Sequence, residues 1–347
     1  MVEAAEVQEA EATFLSSLRG PVRRVPTRGI PLDKVAAITR DIHAADPYAA
    51  PDDGRKKWGG IYHGDTSTTG QGLEELQSQV TSQYNSTNAL YPGLWPSIQK
   101  FEAEIIAMAL DLLNGDSASV CGLLTSGGTE SILLPILGYR EVAKGRGISS
   151  PEIICGVTAH PALAKACFYF GIKLVVLPVD PATQRLTVEA VKAATTASTA
   201  AIYASAPNFP NGMVDPIEEL GAWALQQGCG LHVDNCLGGF YLSFAQRAGL
   251  LSDIRWNFSV PGVSSISLDI HKYGMAPKGV SVVGFATAEL RRATFHPVTN
   301  LLGSYVTPTL QVGPSRIICR AYIHIYIYVR HNCRTHYTFL FHCLRIP

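Results

Sequence analysis

The sequence predicts an α/β fold: an open, mainly parallel sheet with helices on both faces. Three observations predict it. Short apolar runs of strand length alternate with segments of helical periodicity from residue 96 to residue 286. The strand runs are apolar throughout, the mark of strands covered on both faces. A chain of 347 residues, 47% hydrophobic and only 16% charged, also has enough apolar material for one large domain and a smaller one.

Taken in order, residues 1–58 read as an N-terminal helical arm. It comprises an acidic helix, a Pro- and Arg-containing link (RGPVRRVPTRGIPL) and DKVAAITRDIHAA. Regularity begins at PSIQKFEAEIIAMALDLLNG, where Phe101, Ile105, Met108 and Leu112 recur at helical spacing and Asn114-Gly115 ends the run. VCGLLTS is then a strand and SILLPILGYREVAKG a helix; IICGV is a strand, ALAKACFYFG a helix and KLVVLPV a strand. TVEAVKAAT is a helix, AAIYAS a strand and PIEELGAWALQQG a helix, followed by the strands GLHVDN, SISLDI and GVSVVGFA. Residues 59–315 therefore form the large domain.

Past Arg316 the character changes. The segment 316–347 has no acidic residue, lysine or glycine, yet holds four of the ten histidines and three of the eight cysteines. IYIYV resembles an edge strand, but no turn chemistry surrounds it. The segment is read as a basic, aromatic tail foreign to the domain. Its Cys333, His336, His342 and Cys343 follow no zinc-site spacing, so no metal is expected.

Composition narrows the function classes. Formal net charge is zero, which gives no sign of a nucleic-acid or anionic membrane partner. Eight cysteines without a CxxC pair fit buried thiols in a reducing compartment. The N-terminus lacks an apolar signal core, and no stretch reaches the roughly 18 apolar residues of a membrane span. As written, the chain reads as soluble and cytoplasmic.

In open α/β sheets ligands bind at the carboxyl ends of the strands, and three strand ends here carry unusual residues. LLTSGGTES puts Gly127, Gly128 and Thr129 between a strand and a helix, where free N–H groups suit a phosphate; a glycine turn with no anion is the plainer reading. GLHVDNCLGGF ends a buried strand on Asp234, a carboxylate that needs a cation, a strong donor or a neighbouring backbone N–H. SISLDIHKYG ends on Lys272, which taken alone is a solvated amine. One ligand accounts for all three. Pyridoxal 5′-phosphate (PLP) needs a phosphate cup, an anion beside its pyridine nitrogen and a lysine for a Schiff base. Desolvation is expected to lower the pKa of that lysine. His160, after the strand IICGV, is placed either to stack on the ring or simply to begin a helix. Cys236 is read as a small buried thiol rather than a nucleophile.

Together TSGGTESI, HVDNCLGGF and SISLDIHKYGMAPKG resemble the sphingosine-1-phosphate lyases, within the PLP-dependent group II decarboxylases of fold type I. The resemblance covers about residues 55–315, from GGIYHGD and NALYPGLWPSIQKFEAEI to GSYVTPTL. It implies Lys272 as the Schiff-base lysine, Asp234 as the partner of the pyridine nitrogen and His160 stacked on the ring. It also implies that Gly127, Gly128 and Thr129 hold the phosphate with His271. Lys278 matches a second lysine assisting proton transfer, and Tyr62 a tyrosine near the cofactor.

The implied reaction is retro-aldol cleavage of a sphingoid base 1-phosphate to a fatty aldehyde and ethanolamine phosphate. The implied setting is a homodimer at the endoplasmic reticulum, with GSYVTPT reaching the neighbour's cofactor phosphate. Two alternatives stand beside it: an amino-acid decarboxylase of the same fold, and a catalytically silent homologue. The chain departs from the family pattern at Asn235, where a small residue is usual, and at Ile270 before His271-Lys272. The C-terminal small domain of fold type I is largely missing from this reading.

Overall fold

The computed structural model describes residues 32–44, 73–88, 93–115 and 119–310, apart from residues 252, 275 and 302. The chain divides into two units, residues 1–60 and 61–347. Within the first lies helix α1 (Leu32–Ala44). The second contains helices α2 (Leu73–Gln83), α3 (Pro96–Leu112), α4 (Gly128–Gly145), α5 (Pro161–Phe170), α6 (Val188–Ala194), α7 (Ile217–Gln227), α8 (Gly239–Arg247) and α9 (Ala288–Arg292). Its strands are β1 (Cys121–Thr125), β2 (Glu152–Gly156), β3 (Lys173–Leu177), β4 (Thr199–Ser205), β5 (Gly230–Asp234), β6 (Ser265–Asp269), β7 (Ser281–Phe285), β8 (His296–Leu301) and β9 (Gly303–Thr307).

Seven strands form one sheet in the order β1-β7-β6-β5-β4-β2-β3, and β8 pairs with β9 in a separate hairpin. β2 to β6 run parallel, whereas β7 is antiparallel to both β1 and β6. The α/β architecture predicted from the alternation is thus present, with one reversed strand.

The continuous apolar runs have a simple cause. Successive side chains point to opposite faces of a strand, and both faces are covered. Ile154, Ile202, Ala204, Leu231, Val233, Ile266, Leu268 and Val282 enter one core layer, against α3, α6, α7 and α8. Ile153, Ala201, Tyr203 and Val283 enter the other, against α4 and α5.

Two strands depart from the expectation. β3 is the outermost strand, so Lys173 and Val176 are exposed rather than covered. β5 and β6 are fully covered yet not apolar throughout: His232 and Asp234, and Ser265, Ser267 and Asp269, fall at every second position and are all buried.

The helix that begins at Pro96 runs to Leu112 and is closed at Asn114, which takes φ 52°, where the sequence places its end. Helices α2, α8 and α9 and the β8–β9 hairpin were not anticipated. α8 begins within the glycine pair Gly238-Gly239. No helix among the described residues is long and apolar enough to cross a membrane. The tail beyond residue 310, including Cys333, His336, His342 and Cys343, lies outside the described residues.

Candidate cofactor and active site

A cleft of about 300 Å³ opens at the carboxyl ends of β1, β5 and β6. Gly127, Gly128 and Thr129 line it, as do His160, Asp234, His271 and Lys272. The structure therefore brings seven of the nine predicted site residues into one space. Lys278 is exposed and does not line the cleft, though Lys272 is near enough to help depress its pKa, after partial burial. Tyr62 lies outside the described residues.

The glycine turn follows from its backbone. Gly127 has φ 146°, a conformation that side chains rarely adopt, and N-caps α4. Glu130, in the first turn of α4, reaches back to accept from the backbone N–H and the hydroxyl of Ser126, both at 2.7 Å. Its other oxygen accepts from the Leu310 N–H at 2.7 Å, so the segment after β9 comes to the turn of its own chain. At Gly128 a Cβ would stand 2.7 and 2.8 Å from the two oxygens of Asp269 and 3.0 Å from Cys236 Sγ. Gly128→Ala should therefore overpack the cleft floor, at a cost of ~1–3 kcal/mol, and weaken PLP binding on the order of tenfold or more. Titration with PLP, followed by absorbance, checks this.

Asp234 is the last residue of β5 and is gripped by donors. The Tyr203 hydroxyl donates to Oδ2 at 2.5 Å, the Cys236 N–H to Oδ1 at 3.0 Å and the Ser267 hydroxyl to Oδ1 at 3.2 Å. Burial works against its ionisation, but the Tyr203 hydroxyl and the Cys236 N–H, with His232 and Lys272, prevail and hold its pKa below the ordinary value. A carboxylate accepts about four hydrogen bonds. The protein fills three, leaving room on Oδ2 for one cationic donor.

Lys272 stands in the turn after β6. Its Nζ lies 3.0 Å from Asp269 Oδ2, and the Asp269 side chain is 2% exposed. The expected depression of its pKa is not what the structure gives. Burial does pull the value down, but Asp269, aided by Asp234, reverses the effect and raises it above that of an ordinary lysine. Asp269, unremarked in the sequence because it closes a strand run, is thus the partner of Lys272. It is also 3.5 Å from His271 Nε2, while His271 Nδ1 is anchored 2.8 Å from the Val280 carbonyl.

His160 does two things at once. Its Nδ1 accepts from the Ala162 N–H at 3.1 Å, capping α5, and its ring lines the cleft. Cys236 is buried, and burial, with Asp234 and Asp269 nearby, pushes its thiol well up, against a nucleophilic role. Asn235, where the sequence departs from the family pattern, is fully buried beside Gly238 and Gly239. Among the described residues its side-chain Nδ2 and Oδ1 have no hydrogen-bond partner.

The family model described as the pyridoxal-dependent decarboxylase conserved domain matches residues 73–335. The chain is 33% identical, with a TM-score of 0.81, to the solved sphingosine-1-phosphate lyase of Burkholderia pseudomallei, over 92% of this chain and 74% of that one. The chain belongs to the pyridoxal-dependent decarboxylase family, on its sphingosine-1-phosphate lyase branch.

Curated lyases of that branch agree. The Saccharomyces cerevisiae sphingosine-1-phosphate lyase is 40% identical over 83% of this chain and 48% of its own length. That of Arabidopsis thaliana is 43% identical over 73% of this chain and 47% of its own length. The chain spans about half the length of the curated relatives it matches. Glutamate decarboxylase from Lactobacillus brevis, 20% identical with a TM-score of 0.71, shares the fold.

The family's cofactor is pyridoxal 5′-phosphate, and this cleft fits it. A glycine turn opens onto the N-terminus of α4, Asp234 keeps one acceptor position, and the Lys272 amine lines the same cleft. Asp269 Oδ1 is buried without a hydrogen-bond partner among the described residues, on a cleft floor that any Cβ at Gly128 would fill.

Proposed function

We propose that the chain is a PLP-dependent carbon–carbon lyase that cleaves sphingoid base 1-phosphates to a fatty aldehyde and ethanolamine phosphate. The observation that carries this reading is one cleft holding both Lys272 and a strongly hydrogen-bonded Asp234, in a chain of the lyase branch. When bound, PLP supplies the electron sink for the breaking C2–C3 bond. The residues do the rest. Lys272 provides the amine that anchors the cofactor and yields to the substrate amine. Asp234, ionised and held by three donors, keeps a proton on the ring nitrogen. Gly127, Gly128, Thr129 and His271 hold the phosphate, and His160 covers the ring.

Asp269 stabilises Lys272 as an ammonium until the cofactor arrives. The proton of the substrate hydroxyl is taken by Lys278, Tyr62 or a phosphate oxygen of the substrate itself. The resemblance further supports a homodimer and a place at the endoplasmic reticulum; light scattering of the purified chain tests the first.

The decisive experiment offers sphinganine 1-phosphate to the PLP-loaded chain and measures ethanolamine phosphate and fatty aldehyde. Release of carbon dioxide from amino acids, with no cleavage of the base phosphate, would instead make it a decarboxylase. Failure to trap PLP on Lys272 by borohydride, with neither reaction, would leave a silent homologue.

A further inference from the structure

On the sheet face beneath α4, buried polar side chains form a continuous line that ends on Asp234. The Tyr139 hydroxyl, from α4, lies 2.6 Å from Ser265 Oγ. Ser265 Oγ is 2.8 Å from His232 Nδ1, and His232 Nε2 is 3.4 Å from Ser267 Oγ. Ser267 Oγ in turn lies 3.2 Å from Asp234 Oδ1. Strand register makes this possible, because His232 pairs with Ser265 and Asp234 with Ser267 across β5 and β6. Tyr139 is 4% exposed and His232, Ser265 and Ser267 are fully buried. The outer end does not stop in packed core: the Tyr139 hydroxyl is also 2.7 Å from Ser264 Oγ, and both residues line a cavity of about 660 Å³ at the opposite ends of the strands.

From Asp234 back to Ser265 the direction of each hydrogen follows from the charge states. Asp234 is ionised, with its pKa held below the ordinary value despite burial, so it only accepts. Ser267 must then donate to it, which leaves the Ser267 oxygen to accept from His232 Nε2–H. Burial pushes His232 down to about 4, so its imidazole is neutral and carries one hydrogen. Nδ1 is therefore bare and accepts from Ser265, whose oxygen is left free to accept from the Tyr139 hydroxyl, a hydrogen that Ser264 Oγ also competes for. Each donor points toward the carboxylate, and such aligned chains strengthen one another.

We propose that Tyr139, Ser265, His232 and Ser267 form a one-way hydrogen-bond relay that fixes His232 as its Nε2–H tautomer and makes it a positioning residue for Asp234. Through that carboxylate, a cavity at the far end of the sheet is in contact with the ring nitrogen of the cofactor. The effect on the cofactor rests on the lyase reading; the tautomer does not.

The test uses the full chain labelled with ¹⁵N-histidine, His232 being assigned by its loss in His232→Gln. In the cofactor-free protein His232 should show a protonated Nε2 and a bare Nδ1, without titrating between pH 8 and about 5.5. Ser265→Ala should abolish that preference. After PLP loading, Ser267→Ala and Tyr139→Phe should each move the pH midpoint of the cofactor absorbance, Ser267→Ala by about half a unit or more. A merely structural role would lower the melting temperature of these variants and leave both signatures in place, overturning the proposal. So would an Nδ1–H or charged His232 at pH 7. A chain that takes up no PLP would defeat the lyase reading, while the nitrogen spectra would still decide the relay.

Discussion

Lys272→Ala is expected to remove borohydride-trappable PLP and to lower cleavage of sphinganine 1-phosphate on the order of 10³-fold or more, since no other group does the same work. A second effect comes from the structure. Asp269 Oδ2 is 3.0 Å from Lys272 Nζ, and its side chain is 2% exposed, so deleting the lysine takes the nearer partner from a buried carboxylate and leaves it His271 at 3.5 Å. Breaking such a pair costs about 3 kcal/mol, which a denaturant titration of the cofactor-free chain would register. Putting Asp269→Asn into the Lys272→Ala background should return most of that stability without restoring cofactor attachment. If the double variant is no more stable than the single one, the ion pair is not what holds the turn after β6.

Asp234→Asn should be the second most damaging change, because it keeps the shape of the side chain and reverses the logic of the site. The amide Nδ2 is a donor, so beside the pyridine nitrogen it favours the unprotonated ring, a poorer electron sink. Loss of a fixed charge of this kind typically lowers turnover on the order of 10²–10³-fold. Steady-state kinetics should show the fall in kcat, and the absorbance of bound PLP should shift with it. The native carboxylate also contributes to stability, with a definite sign. Its folded pKa lies below the ordinary value, so the contribution is complete above the ordinary carboxylate range and is lost as pH falls through the folded value. Asp234→Asn should flatten that acid limb.

Much of this was legible in the chain itself. Lys272, Asp234 and the Gly127-Gly128 turn stood out because each breaks the apolar grammar of a buried strand at its carboxyl end, where the fold places ligands. Asp269 and Tyr203 did not, because a strand run absorbs both. Asp269 sits inside a run already assigned to the strand, and a tyrosine in AAIYAS is an ordinary strand residue. What reveals both is pairing across the sheet, which a single sequence does not display.

The relay had a signal that went unread. LHVD and SISLD alternate polar and apolar residues, which on a covered sheet means a polar line under a helix rather than a face open to solvent. The reversed β7 also had one. Only residues 270–280 separate β6 from β7, with no helix among the described ones, whereas parallel strands need a crossover of a dozen or more residues.

Helix α4 begins at the glycine turn with Gly128 and carries Tyr139 three turns further along. Ser131, near its start, hydrogen-bonds Thr125 of β1 and Ser281 of β7, pinning that end to the sheet. One helix thus carries, at its start, the glycine turn proposed to hold the phosphate and, along its length, the tyrosine of the proposed relay. With PLP held as proposed, sliding the helix by even a fraction of a turn would disturb the grip on the phosphate and the proton on the ring in the same stroke, so the two ends of the cofactor would be tuned together.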